Sequence, residues 1–167
     1  MGASQIPAPS TSGTESDWVL ISSVTASGTT VSFTSISGYS KLALMWKGVT
    51  LSAADNAKVT IDSNTGTNYN NVYQSTAATP QNFQLTTSFL PTYTTASTTT
   101  GVIYIDAVNK TGFKPVYGSI QGSTAGAVYQ NGSYYYSTAA TTSVQLTTGG
   151  GTATMSVGTV ALYGVVA

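Results

Sequence analysis

The chain offers few residues that could do chemistry. It has no His, no Cys and no Arg; its cations are Lys41, Lys47, Lys58, Lys110 and Lys114, and its acids are Glu15, Asp17, Asp55, Asp62 and Asp106. Without His or Cys there is no imidazole to activate a hydroxyl nucleophile and no thiolate to hold a metal. Ser and Thr are abundant, but no Gly-x-Ser-x-Gly elbow occurs. Paired carboxylates remain. Asp62 and Asp106 both fall on predicted strands or strand ends, and two acids ~5–9 Å apart can run glycoside hydrolysis. The competing reading gives each acid hydrogen bonds from nearby backbone or Lys. It is the favoured one, and no enzyme activity is expected.

The run Asp62-Ser63-Asn64-Thr65-Gly66 matches the first half of a calcium loop, where spaced oxygens precede a glycine turn. The twelfth position is Tyr73 rather than Glu, so an Asx turn is the better reading. No metal and no cofactor is expected. Asn109-Lys110-Thr111 and Asn131-Gly132-Ser133 match the glycosylation sequon, a match that chance supplies in so hydroxyl-rich a chain.

The best local signal is Asn131-Gly132 between two β-rich runs, the signature of a two-residue type I′ hairpin. In that hairpin Gln130 pairs with Ser133, Tyr129 with Tyr134 and Ala127 with Tyr136. Tyr129, Tyr134 and Tyr136 then share one face. Tyr combines apolar area with a hydroxyl handle, so this face is a candidate glycan-stacking platform; core or subunit packing is the commoner use.

The surroundings of these residues are unusual in charge. Charged residues make up 6% of the 167 positions, against roughly 25% in an ordinary soluble domain. Ser and Thr fill 52 positions, so polarity comes from hydroxyls and amides. A net charge of zero gives no long-range steering of nucleic acid, and so little charge favours association. No apolar run approaches the ~20 residues of a membrane span. The N-terminus lacks the basic and apolar regions of a signal peptide, so synthesis in a cytoplasm is expected.

Residues 1–17 show no periodicity and include Pro7, Pro9 and a run of Ser, Thr and Gly. They read as a flexible arm, and Ile6, Pro7 and Pro9 are its candidate anchor residues. From Trp18 the pattern becomes strands. Residues 41–50 place Leu42, Leu44 and Trp46 on one side and Ala43 and Met45 on the other. Residues 101–108 and 158–167 also carry apolar residues on both parities. At the C-terminus, Val160, Leu162 and Val166 oppose Ala161, Tyr163 and Val165. Such strands must be covered on both faces and belong inside a sheet or an assembly. Residues 82–89 read as a strand, 93–100 as a Thr-rich loop and 155–167 as one closing segment. The expectation is an all-β, jelly-roll-like sandwich of about ten strands over residues 18–167, with the arm extending from it.

The run from Leu20 to Tyr39, then Leu42-Ala43-Leu44, and the closing Gly158-Thr159-Val160-Ala161-Leu162-Tyr163-Gly164 together resemble a β-sandwich module of tailed-bacteriophage particle proteins. These are small tail-fibre, head-fibre and decoration proteins with jelly-roll folds, often trimeric. The resemblance covers residues 18–167 and is weakest over 50–150. It implies a homotrimer on the virion surface, joined to other virion proteins through the arm, with a host-glycan-binding fibre tip as the alternative. Neither role involves nucleic acid binding or membrane insertion.

Overall fold

The computed structural model describes residues 18–53, 55, 57–74, 84–86, 98–122 and 128–167. Among them there is no helix. Alternating apolar positions and β-branched side chains give twelve strands. The first six are β1 (Trp18–Thr25), β2 (Thr30–Phe33), β3 (Tyr39–Leu51), β4 (Ala57–Ile61), β5 (Tyr69–Gln74) and β6 (Gln84–Thr86). The rest are β7 (Thr98–Ile105), β8 (Gly112–Gly122), β9 (Val128–Ser137), β10 (Val144–Thr148), β11 (Met155–Ser156) and β12 (Thr159–Val166).

The strands form two antiparallel sheets. The nine-stranded sheet has the order β1-β12-β3-β7-β8-β9-β5-β6, with β11 also pairing β3; the three-stranded sheet has the order β2-β10-β4. Strands β1 to β4 alternate between the sheets, and the chain pairs with itself from the ends inwards: β1 with β12, β2 with β10, β3 with β7. That is the winding of a jelly roll. In a complete roll β4 would pair with β5 as the fourth ribbon, but here β5 pairs with β9. A side chain closes the gap. The Tyr69 hydroxyl accepts from Ile61 N at 2.9 Å and shares its single proton between Ile61 O and Asn64 O, both at 3.0 Å. The turn before it has Asp62 and Ser63 at positive φ, with Asn64 N donating to Ile61 O at 3.0 Å.

Between the sheets lies one apolar core. Leu42, Leu44 and Trp46 of β3, Val160 and Leu162 of β12, and Ile103 and Ile105 of β7 face Val31 and Phe33 of β2, Val59 and Ile61 of β4, and Val144 and Leu146 of β10. Each such side chain contributes about 1.5–3 kcal/mol on burial. Trp46 is the largest of them, and β7 makes room for it. A Cβ on Gly101 would stand 2.5 Å from the indole Cζ2, so only glycine fits beneath the ring.

Strand β12 lies between β1 and β3, inside the sheet as its double apolar pattern requires. Val166 departs from that pattern. A register shift between Val165 and Val166 turns it outwards, away from Val160 and Leu162. The segment 155–167 is also two strands, split where Val157 and Gly158 take positive φ. Thr98–Thr100, read as loop, opens β7, because Thr suits a pleated surface. Only 84–86 of the expected strand 82–89 lies within the described residues.

The Asn131-Gly132 hairpin is not formed. Strand β9 runs through it without a break: Asn131 and Gly132 pair with Gly118 and Tyr117 on one side and with Tyr73 and Val72 on the other. Turn preference is a local term of about a kcal/mol, and two flanking ladders outweigh it.

Candidate functional site

The outer face of the large sheet, away from the core, is where the double apolar pattern leads. Register places Leu20, Tyr163, Ala43, Tyr104 and Tyr117 in one row across β1, β12, β3, β7 and β8. Tyr104 and Tyr117 stack with ring centroids 5.2 Å apart and planes 22° apart. Trp18 is in register with Val165 on β12, yet its ring reaches within 5.8 Å of the Tyr104 ring on β7. The two rings therefore close over the intervening strands β12 and β3, where Ala43 and Val165 are buried on an outward-facing parity. Further along, Phe113 of β8 meets Tyr136 of β9 edge to face at 5.1 Å. Trp18, Leu20, Met45, Phe113, Tyr117 and Tyr136 are all large and exposed, with Phe113 at 64%. Apolar side chains gathered on one sheet face in this way are of the kind that interaction surfaces present.

The same face carries a depression of about 590 Å³. Its floor is the next row of the register, Ala161, Met45 and Val102, with Ser23 and Ser119 at the two ends. Tyr163 walls one side; Thr159, Thr100 and Gln121 line the other. A bulge in β3 shapes this side. The β3–β7 register shifts between Trp46 and Val49, and Gly48 N donates to Thr100 Oγ1 at 3.1 Å, which sets Lys47 at the rim.

The carboxylates are held elsewhere, each by structural partners. Asp62 Oδ1 accepts from Thr142 N at 2.7 Å, Ser143 N at 3.1 Å and Thr142 Oγ1 at 3.3 Å. Asp106 forms an ion pair with Lys41 at 3.6 Å. Asp55 accepts from Gly150 N at 2.7 Å and 2.9 Å through its two oxygens. Asp62 ends a strand of the small sheet and Asp106 a strand of the large one. The calcium-loop residues are used in the same way: Asn64 Oδ1 accepts from Gly66 N at 2.7 Å, an Asx turn. Among the described residues no group of three His, Cys, Asp or Glu could hold a metal ion.

A buried polar cluster lies under the far end of the large sheet. Tyr69 and Tyr135 pack with centroids 4.8 Å apart, and Asn64 Nδ2 donates to the Tyr135 hydroxyl at 3.2 Å. Lys114 is fully buried; its ammonium donates to Lys110 O at 2.8 Å and Ala139 O at 2.9 Å and lies 5.9 Å from the Tyr135 ring centroid. Burial raises both tyrosine pKa values and lowers that of Lys114; the nearby charge of Asp62 adds to the rise of the tyrosines and opposes the fall of Lys114. Every named bond here fixes a loop or a strand end.

Of the three candidate glycan-face tyrosines, Tyr136 is exposed and belongs to the aromatic band beside Phe113. The side chains of Tyr129 and Tyr134 lie outside the described residues, as do Ile6, Pro7 and Pro9. The hairpin register that grouped the tyrosines is absent, since all three sit on the single strand β9. Sequence reading missed Trp18, Tyr104, Tyr117 and Phe113 as a group. The signal was present in the double apolar parity of β7 and β12, but the strand order that unites them is not local.

Fold and site together define an all-β jelly-roll sandwich with an aromatic outer sheet face. No family model, no curated protein and no solved structure matches this chain.

Proposed function

We propose that this chain is a non-enzymatic structural protein of a tailed-bacteriophage particle, a surface decoration or fibre module. In this reading it assembles as a homotrimer and joins other virion proteins through residues 1–17. The observation that carries the reading is the outer sheet face. A domain with few charges displaying Trp18, Leu20, Phe113, Tyr117 and Tyr136 together is suited to standing against another protein surface. The jelly-roll winding and the scarcity of charge support it. So does the engagement of Asp62 and Asp106 in structural contacts. The alternative of a host-glycan-binding fibre tip built on Tyr129, Tyr134 and Tyr136 no longer has the hairpin that defined it.

Reconstitution onto particles lacking the protein tests this reading. The full chain is expected to join them. A form without residues 1–17 is expected to keep its β-sheet circular dichroism and fail to join. Normal incorporation of the truncated form overturns the proposed attachment.

A further inference from the structure

We propose that the depression on the outer sheet face is a binding site for an acidic saccharide, a pyranose bearing one carboxylate such as a hexuronate or a sialic acid. The inference rests on the depression alone and is independent of the particle assignment. Its volume of about 590 Å³ falls within the roughly 300–1,000 Å³ of small-ligand sites. Its chemistry is divided as a sugar ring is divided. The floor of Ala161, Met45 and Val102 presents apolar area for the C–H face of a pyranose, and Tyr163 adds a ring at the wall. The rim presents hydroxyls and an amide, which can both donate to and accept from sugar hydroxyls.

Charge selects among saccharides. Lys47 is the one ionic group lining the depression, and no carboxylate lines it. Among the described residues no acid lies within ion-pair distance of the Lys47 ammonium; the single ion pair is Lys41 with Asp106. The bulge pinned by Gly48 and Thr100 holds Lys47 beside the apolar floor rather than out along the strand. An exposed cation beside an apolar floor and an uncharged hydroxyl rim is complementary to a ligand that is amphipathic, hydroxylated and singly anionic.

The test uses the full chain, with sialyllactose and an oligoglucuronate as probes and lactose and a cello-oligosaccharide as neutral counterparts. Binding is read by saturation-transfer difference NMR and by titration. An acidic probe is expected to bind at least about tenfold more tightly than its neutral counterpart, the margin of one charge-assisted hydrogen bond. Lys47→Gln is expected to erase that margin. Ser119→Trp, a substitution at an exposed position at the end of the floor row, is expected to abolish binding with an unchanged thermal melt. The proposal is overturned if no acidic probe outbinds its neutral counterpart, or if both variants bind as the parent does. It is also overturned if the thiol of Ser119→Cys, unique in this cysteine-free chain, is shielded from reagent in a sugar-free oligomer. That result makes the depression a subunit interface.

Discussion

Tyr135 and Tyr136 are adjacent in β9 and serve opposite ends. Tyr135 is 2% exposed, packs on Tyr69 and takes a hydrogen bond from Asn64. Tyr136 is 45% exposed, meets Phe113 edge to face, and has its other side in solvent. Strand pleat makes the difference, because successive side chains point to opposite faces. The same contrast holds for the whole sheet. Its inner face spends aromatics on closing the roll, with Tyr69 standing in for the missing β4–β5 ladder and Trp46 filling the room left by Gly101. Its outer face spends them on a surface that nothing in the described chain covers. Residue type alone therefore does not tell a structural tyrosine from one available to a partner. Parity and strand order do.

The inner face is the more sensitive of the two to substitution. Tyr69→Ala removes a buried ring and the hydroxyl that satisfies Ile61, and is expected to cost about 3–5 kcal/mol in urea denaturation. Tyr69→Phe isolates the hydroxyl and is expected to cost about 1–3 kcal/mol, because it leaves the buried Ile61 N–H without its acceptor. Loss of the same order in Tyr117→Ala, the outer-face counterpart, contradicts the division between faces. That variant is expected to lose about 1 kcal/mol, the worth of an aromatic pair at a half-exposed site.

Alkaline titration sharpens the contrast through protons. The inner tyrosines Tyr69 and Tyr135 have raised folded pKa values, against an ordinary value of 10.0. Above pH 10 the unfolded chain releases protons that the native chain retains, so stability is full below that pH and falls as pH rises further. Lys114 acts in the opposite sense. Its folded pKa is lowered from 10.5, so the cost of burying its charge is present at lower pH and is relieved as pH approaches 10.5. Urea midpoints measured across this range should fall less steeply above pH 10 in Tyr69→Phe. The gain below 10.5 should vanish in Lys114→Met. The smallest effect is expected from Phe113→Ser, within about 0.5 kcal/mol of the parent, since the side chain is largely in solvent already.

Much of the fold was legible in the sequence. The alternation at Val31 and Phe33, at Val59 and Ile61 and at Leu42, Leu44 and Trp46 identifies core faces directly, and the double parity of 158–167 places β12 inside a sheet. Where the reading failed, a non-local pairing overrode a local preference. Asn131-Gly132 prefers a turn, but β5 and β8 hold it in strand. The candidate site was legible only in part. Tyr136 was picked out, but for a hairpin face that does not exist. Its partner Phe113 and the Trp18–Tyr104–Tyr117 group depend on which strands become neighbours, and alternation does not encode that order. The Lys114–Tyr135–Asn64 cluster carries no spacing signal, because its members come from three separate segments.

Sedimentation velocity on the parent and on the triple variant Phe113→Ser, Tyr117→Ser, Tyr136→Ser tests the central claim most directly, with thermal melts run alongside. An outer face built for association predicts a trimeric parent and a monomeric variant whose melting temperature differs little from that of isolated parent subunits. A parent that stays monomeric at high concentration, or a triple variant that still forms trimers, contradicts the account and leaves the aromatic band without its partner.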